Sequence, residues 1–157
     1  VTSRKHLYLA SERQPHYGSE ITVRVIPGYQ QHHFNRLQQR RFFSRPYTVS
    51  ERCDRMGYRL EGPAIECDIE GILSEGICFG AIQIPADGQP IVLLNDRQTI
   101  GGYPKIGSAL SLDTARLAQL TPGGTVHFAP ITPHGAHNAL HLAQSFARRQ
   151  PLLERRP

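Results

Sequence analysis

The stretch Gly80-Ala-Ile-Gln-Ile-Pro-Ala-Asp-Gly-Gln-Pro-Ile-Val-Leu-Leu94 constrains the fold more than any other part of the chain. Two short apolar runs, Gly80 to Ile84 and Ile91 to Leu94, flank Pro85-Ala-Asp-Gly-Gln-Pro90. Proline presets φ, aspartate caps its own backbone and glycine tolerates φ > 0, so this is turn chemistry between two strands. Five polar residues then follow in a row: Asn95, Asp96, Arg97, Gln98 and Thr99. Gly101-Gly102 lets the backbone turn or approach a ligand closely, and Tyr103 and Lys105 come next. Polar groups delivered by the end of an apolar strand, beside a glycine pair, are how a β scaffold presents a site.

The rest of the chain reads the same way. Ile21–Ile26 alternates β-branched and polar residues and is a strand, stopped by Pro27-Gly28. Strand-like pieces are expected at 47–50 and 58–60 around a loop over 51–57, and at 68–73, 108–110 and 125–128. Residues 77–79 lead into the central hairpin. Helices are expected over 31–43, 112–120 and 137–149. Asp113 stands at the N-terminal end of the second, and Ala139, Leu140, Ala143, Phe146 and Ala147 form the apolar stripe of the third. Many short strands with Gly 14 and Pro 12 give a mainly β domain with a few helices. It divides into a lead-in over 1–20, the domain over 21–135, and an amphipathic helix with a basic tail over 136–157.

Charge and composition narrow the function. From Arg36 to Arg59 seven arginines face only Glu51 and Asp54. No zinc-finger, recognition-helix or base-stacking motif accompanies them, so a subunit or anionic-substrate contact is expected rather than nucleic acid. No apolar run is long enough to span a membrane. The polar start implies no signal peptide, and three cysteines without Cys-x-x-Cys spacing imply a reduced, cytoplasmic setting. No phosphate-loop signature is present. His137 and His141, at i and i+4, would share one side of a helix as two metal ligands do. No acidic residue lies between them, and no native metal is expected.

Ser74-Glu-Gly76, Gly80-Ala-Ile-Gln-Ile-Pro85, Asp87-Gly-Gln-Pro90 and Gln98-Thr-Ile-Gly-Gly-Tyr-Pro104 together resemble the biotin-dependent carboxyltransferase-related family. That family includes the C-subunit of bacterial 5-oxoprolinase, allophanate hydrolase subunit 2, the antagonist of the sporulation kinase inhibitor, and the carboxyltransferase part of urea carboxylase. Asp54-Arg-Met-Gly-Tyr-Arg-Leu-Glu-Gly62 and Leu117-Ala-Gln-Leu-Thr-Pro-Gly123 fit in the same order. The resemblance implies a cyclophilin-like β-barrel, the C-terminal half of the family module. It also implies a protein that works with A-like and B-like partners in ATP-dependent hydrolysis of 5-oxoproline to glutamate. On this reading the chain binds no cofactor of its own, and any ATP or biotin is carried by other polypeptides of the complex. The alternatives are a urea carboxylase or allophanate hydrolase-type carboxyltransferase part, or a non-enzymatic antagonist that binds a kinase-inhibitor-like partner.

Amide or lactam chemistry needs donors for oxyanion charge, a base and orienting hydrogen bonds. Asp96 (orienter or base), Gln98, Tyr103 and Lys105 (anion holder) are the expected catalytic residues. Arg55, Met56, Arg59, Gln83, Arg97, Thr99, Gly101 and Gly102 are the expected substrate-binding residues. The two arginines Arg59 and Arg97 present donors in fixed fork geometry, and Gln83 and Gln98 can read an amide edge.

Overall fold

The computed structural model describes residues 6–69 and 71–155. The first half runs β1 (His6–Tyr8), β2 (Glu20–Pro27), α1 (Arg36–Ser44), β3 (Tyr47–Cys53), β4 (Gly57–Glu61), β5 (Glu75–Gly76) and β6 (Ala81–Gln83). The second runs β7 (Ile91–Leu93), β8 (Ile100–Gly101), β9 (Lys105–Ala109), α2 (Ser111–Leu117), β10 (Thr125–Pro130), α3 (Pro133–Arg148) and β11 (Leu153–Arg155).

Alternation in β2 turns Ile21, Val23 and Val25 inward, where each is at most 4% exposed, and this strand seeds a closed barrel of order β10-β2-β9-β6-β7-β4-β3. A parallel pairing joins β2 to β10, from Glu20 opposite Thr125 to Val25 opposite Pro130. Closure removes the unpaired edges that an open sheet of this size would present. The interior is filled by Leu60, Ile82, Ile84, Val92, Ile106 and Leu117 among others. Phe42 of α1 stacks on Phe128 with ring centroids 4.3 Å apart. This is the mainly β barrel that the family resemblance implies.

The expected hairpin forms. Ile82 pairs with Val92 and Gln83 with Ile91, and the turn between them uses the foreseen chemistry. Asp87 Oδ1 accepts the Gln89 N–H at 3.0 Å, and Gly88 has φ +71, a conformation that β-carbon sterics disfavour.

Several element boundaries differ from expectation. The helix expected over 31–43 is a short 3₁₀ turn at Gln31–His33 followed by α1, because Asn35 is extended and caps α1 by accepting the Gln38 N–H. β3 continues through Cys53, and the loop shrinks to a turn in which Asp54 Oδ1 accepts the Met56 and Gly57 N–H groups. No strand forms in the described part of 68–73; the Ile72 N–H is instead taken by the Gly102 carbonyl. β9 begins at Lys105, three residues before the expected 108–110. α2 stops at Leu117 rather than residue 120: the Gln119 and Leu120 N–H groups bond three residues back, to Arg116 and Leu117, and the Tyr58 hydroxyl takes up the freed Ala118 and Leu120 carbonyls. α3 starts at Pro133, capped by Thr132. Its apolar stripe is only lightly covered: Ala136 is buried, whereas Phe146 is 67% exposed. Of the expected lead-in, residues 1–5 lie outside the described part; β1 pairs antiparallel with β11, which ties residues 6–8 to the chain's far end. Arg156 of the basic tail also lies outside the described part.

Side chains alternate across a strand, so β6 and β7 have a second, outward face. Ala81, Ile91 and Leu93 pack there with Ile77 in a small apolar cluster of their own. The β5–β8 ribbon, which pairs Glu75 with Gly101 and Gly76 with Ile100, lies over that face.

Candidate active site on the outer face of the barrel

Gln83 is the residue from which the site is built. It is 2% exposed, and its amide Nε2 has no hydrogen-bond partner among the described residues. It lines a cavity of about 140 Å³ together with Arg52, Met56, Arg59, Gln98 and Tyr103, and with Ile91 and Leu93. Leaving a buried N–H unpaired costs on the order of 1–3 kcal/mol, so this cavity is built around a donor that lacks an acceptor.

Beside it a bulge places the second key group. Ile82 is opposite Gly107, but the next β6 residue, Gln83, is opposite Lys105. The extra β9 residue, Ile106, stays in the core, and Lys105 is set level with Gln83 on the outer face. Re-aiming a side chain in this way is what a bulge does. The displaced Lys105 N–H is satisfied by Gln30 Oε1 at 2.8 Å. Gln30 in turn donates from Nε2 to Glu75 Oε1 at 2.9 Å and to the Tyr29 hydroxyl oxygen at 3.1 Å. The Glu75 carboxylate also accepts the Tyr29 hydroxyl and is ion-paired with Lys105 Nζ. Hydrogen bonds from Lys105 and then Tyr29 hold the Glu75 carboxyl below the usual glutamate range. The same Glu75 contact raises the Tyr29 hydroxyl. Tyr29, Glu75 and Lys105 line a second cavity of about 270 Å³ with Cys78 and Ser108.

Met56, Arg59, Gln83, Gln98 and Tyr103 therefore share one cavity, and Lys105 borders the next. Gly101 closes over the same place: a β-carbon there would lie 2.5 Å from Ile77 Cδ1 and 3.0 Å from Gln83 Nε2. One at Gly102 would lie 2.9 Å from the Ile72 carbonyl oxygen. The close approach that the glycine pair permits is thus made by the chain's own 72–77 segment.

Four expected site residues stand apart from the cavities. Arg55 and Asp96 pair with each other at 2.8 Å, with Arg55 85% exposed, so the carboxylate expected to orient or deprotonate a ligand is engaged by a neighbouring arginine. Arg97 turns back onto backbone carbonyls, Ile77 at 3.2 Å and Leu94 at 3.3 Å, and its guanidinium joins chain segments. Thr99 is exposed, and its carbonyl accepts the Ile77 N–H.

Sequence reasoning missed Tyr29, Gln30, Glu75 and Arg52. Glu75 stood in plain view within Ser74-Glu-Gly76; Tyr29-Gln30 carried no signal beyond following Pro27-Gly28. His137 and His141 lie on α3, and both are exposed. Among the described residues no group of three or more His, Cys, Asp or Glu is placed to hold a metal, and no helix is long and apolar enough to cross a membrane.

Residues 2–130 match the family described as carboxyltransferase domain, subdomain A and B. The chain belongs to this family. Within the carboxyltransferase domain family it is similar to the C-subunit of Escherichia coli 5-oxoprolinase, with 42% identity over 107 residues, 68% of this chain and 34% of that protein. It is also similar to the C-subunit of Haemophilus influenzae 5-oxoprolinase, with 38% identity over 112 residues, 70% of this chain and 36% of that one. The chain thus spans about a third of the length of these relatives. The crystal structure of Kluyveromyces lactis urea carboxylase superposes on 85% of this chain and 13% of its own, with TM-score 0.76 and 21% identity. At that identity the likeness speaks for the barrel fold alone.

Proposed function

We propose that this chain forms the barrel portion of a protein of the 5-oxoprolinase C-subunit type. In a cytoplasmic complex with A-like and B-like subunits, it takes part in ATP-dependent hydrolysis of 5-oxoproline to L-glutamate. The observation that carries the reading is the buried, unpartnered amide of Gln83 in a chain so similar to two such subunits.

A lactam carbonyl oxygen is the acceptor that Gln83 Nε2 lacks. The cavity, at about 140 Å³, is well below the roughly 300–1,000 Å³ of drug-sized sites, which suits one small ring. Arg52 and Arg59 at its wall supply fork-shaped donors for the ring's carboxylate. Tyr103, Gln98 and Asp54 add further hydrogen-bonding groups to the lining. As the carbonyl oxygen gains negative charge, Gln83 and the nearby Lys105 ammonium stabilise it. These 157 residues hold no phosphate-loop signature, and nucleotide binding is assigned to the partner subunits.

The test is ATP-dependent glutamate formation from 5-oxoproline by the full-length protein reconstituted with its A-like and B-like partners. Gln83→Leu is expected to lower kcat/KM by roughly 10²-fold, the usual loss for one donor to a developing oxyanion, with the complex still assembled on size exclusion. Wild-type complex that leaves 5-oxoproline intact, or a Gln83→Leu complex of unchanged activity, overturns the reading.

A further inference from the structure

Lys105 poses a physical problem that the surrounding residues solve in a particular way. It is 9% exposed, and an ammonium taken out of water needs a counter-charge. Glu75 supplies it from the β5–β8 ribbon. That ribbon is only two residue pairs long, too short to hold itself in place by strand pairing. Glu75 is therefore both the counter-ion and the ribbon's polar anchor to the barrel. If anchoring were the whole purpose, an apolar pair of similar volume would serve as well, because buried ion pairs seldom add net stability over apolar replacements.

The placement of the charge is what an apolar pair would not reproduce. The bulge sets Lys105 directly across β6–β9 from Gln83. Gln83 lines the 140 Å³ cavity and Lys105, its cross-strand neighbour, lines the 270 Å³ cavity. An ammonium has three N–H donors. Lys105 Nζ is buried and has the Glu75 ion pair but no hydrogen bond of good geometry among the described residues, while Gln30 fixes both the Lys105 backbone and Glu75 Oε1. Gln30, Glu75 and Tyr29 come from two separate segments, so the array is assembled around the lysine and not along one stretch of chain.

We propose that Glu75 is a positioning residue for the reaction: it fixes the Lys105 ammonium at the edge of the 270 Å³ cavity, directly across β6–β9 from Gln83, so that its charge acts on a ligand held by Gln83. This rests on the 5-oxoprolinase-type reading. Glu75 itself touches no ligand atom and moves no proton; it acts through Lys105.

Two measurements on the full-length protein test it. In the reconstituted complex, Glu75→Gln keeps one oxygen acceptor, for Tyr29 or Gln30, and removes the charge. It is expected to lower kcat by roughly 10²-fold, the scale of an ångström-sized misplacement, with KM within about threefold. Lys105→Ala should fall by a similar factor, and the double variant no further, since the two residues act as one unit. A purely structural role would lower stability or assembly without this kcat-selective, non-additive pattern. Independently, amine-labelling footprints read by mass spectrometry report where Lys105 sits, from the peptide that carries it. Labelling of Lys105 is expected to be at least tenfold faster in Glu75→Gln than in wild type. Wild-type turnover with unaffected kcat in Glu75→Gln, multiplicative losses in the double variant, or unchanged labelling overturns this inference alone. A wild-type complex without 5-oxoproline turnover overturns the preceding reading first.

Discussion

Gly101→Ala is the sharpest probe of how the ribbon is seated. The new methyl carbon would stand 2.5 Å from Ile77 Cδ1, 3.0 Å from Gln83 Nε2 and 3.6 Å from Ile77 Cγ1. Carbon atoms in good contact are about 3.5–4.0 Å apart, so the Ile77 terminus must recede by about 1 Å. It has little room: Ile77 is 6% exposed and packs on Ala81, Ile91 and Leu93. Overpacking of this kind costs about 1–3 kcal/mol. Taking about 2 kcal/mol, the midpoint of thermal unfolding should fall by about 4–8 °C for a chain of this size. Gly76, on the paired strand, is the control, because a β-carbon there meets nothing within 4 Å. Neither glycine has positive φ, so backbone strain does not separate them. Gly76→Ala should lie within about 0.5 kcal/mol of wild type or slightly above it, through lost freedom of the unfolded chain. Urea denaturation of the three proteins decides the matter. A Gly101→Ala protein as stable as wild type would mean that the ribbon is not packed on Ile77. Equal losses in both variants would mean that the contact is not the cause.

Two further outcomes are expected. Asp113 is 2% exposed and accepts three hydrogen bonds from Arg24: the backbone N–H at 2.9 Å, Nε at 2.7 Å and Nη2 at 2.8 Å. Asp113→Ala should cost about 2–3 kcal/mol in urea denaturation, at or below the low end for broken buried pairs because Arg24 is 37% exposed and partly hydrated. The contacts of Glu75 with Lys105 and then Tyr29 give stability a two-sided pH dependence. Glu75 has its folded pKa lowered, so its contribution is complete above the ordinary value of 4.5 and is lost as pH falls through the lowered one. Tyr29 has its folded pKa raised, so its contribution is complete below the ordinary value of 10.0 and is lost as pH rises through the raised one. Denaturation midpoints of Glu75→Gln measured across pH should be flatter than wild type at both ends. Parallel curves would show that neither group gains stability from these contacts.

What the sequence by itself determined is local. Asp87-Gly88 specified the hairpin because an Asx contact and a positive φ act within two or three residues. The alternation over 21–26 specified which β2 side chains enter the core, because strand periodicity is a property of consecutive residues. The motifs from Ser74 to Pro104 also sufficed to indicate the family. Only the tertiary structure decided what those groups touch. Arg97 and Asp96 had the residue types of a site, yet one is spent on the Ile77 and Leu94 carbonyls and the other on Arg55. Asp113 looked like a helix-end charge and instead meets Arg24 from 89 residues away. The Gln30–Glu75–Lys105 array depends on a bulge and on three segments meeting, and no spacing in one segment encodes a contact with another. Barrel closure, with β2 beside β10, is what brings such distant groups to one surface. Composition and periodicity are short-ranged, and the charge pairing that makes a site is not.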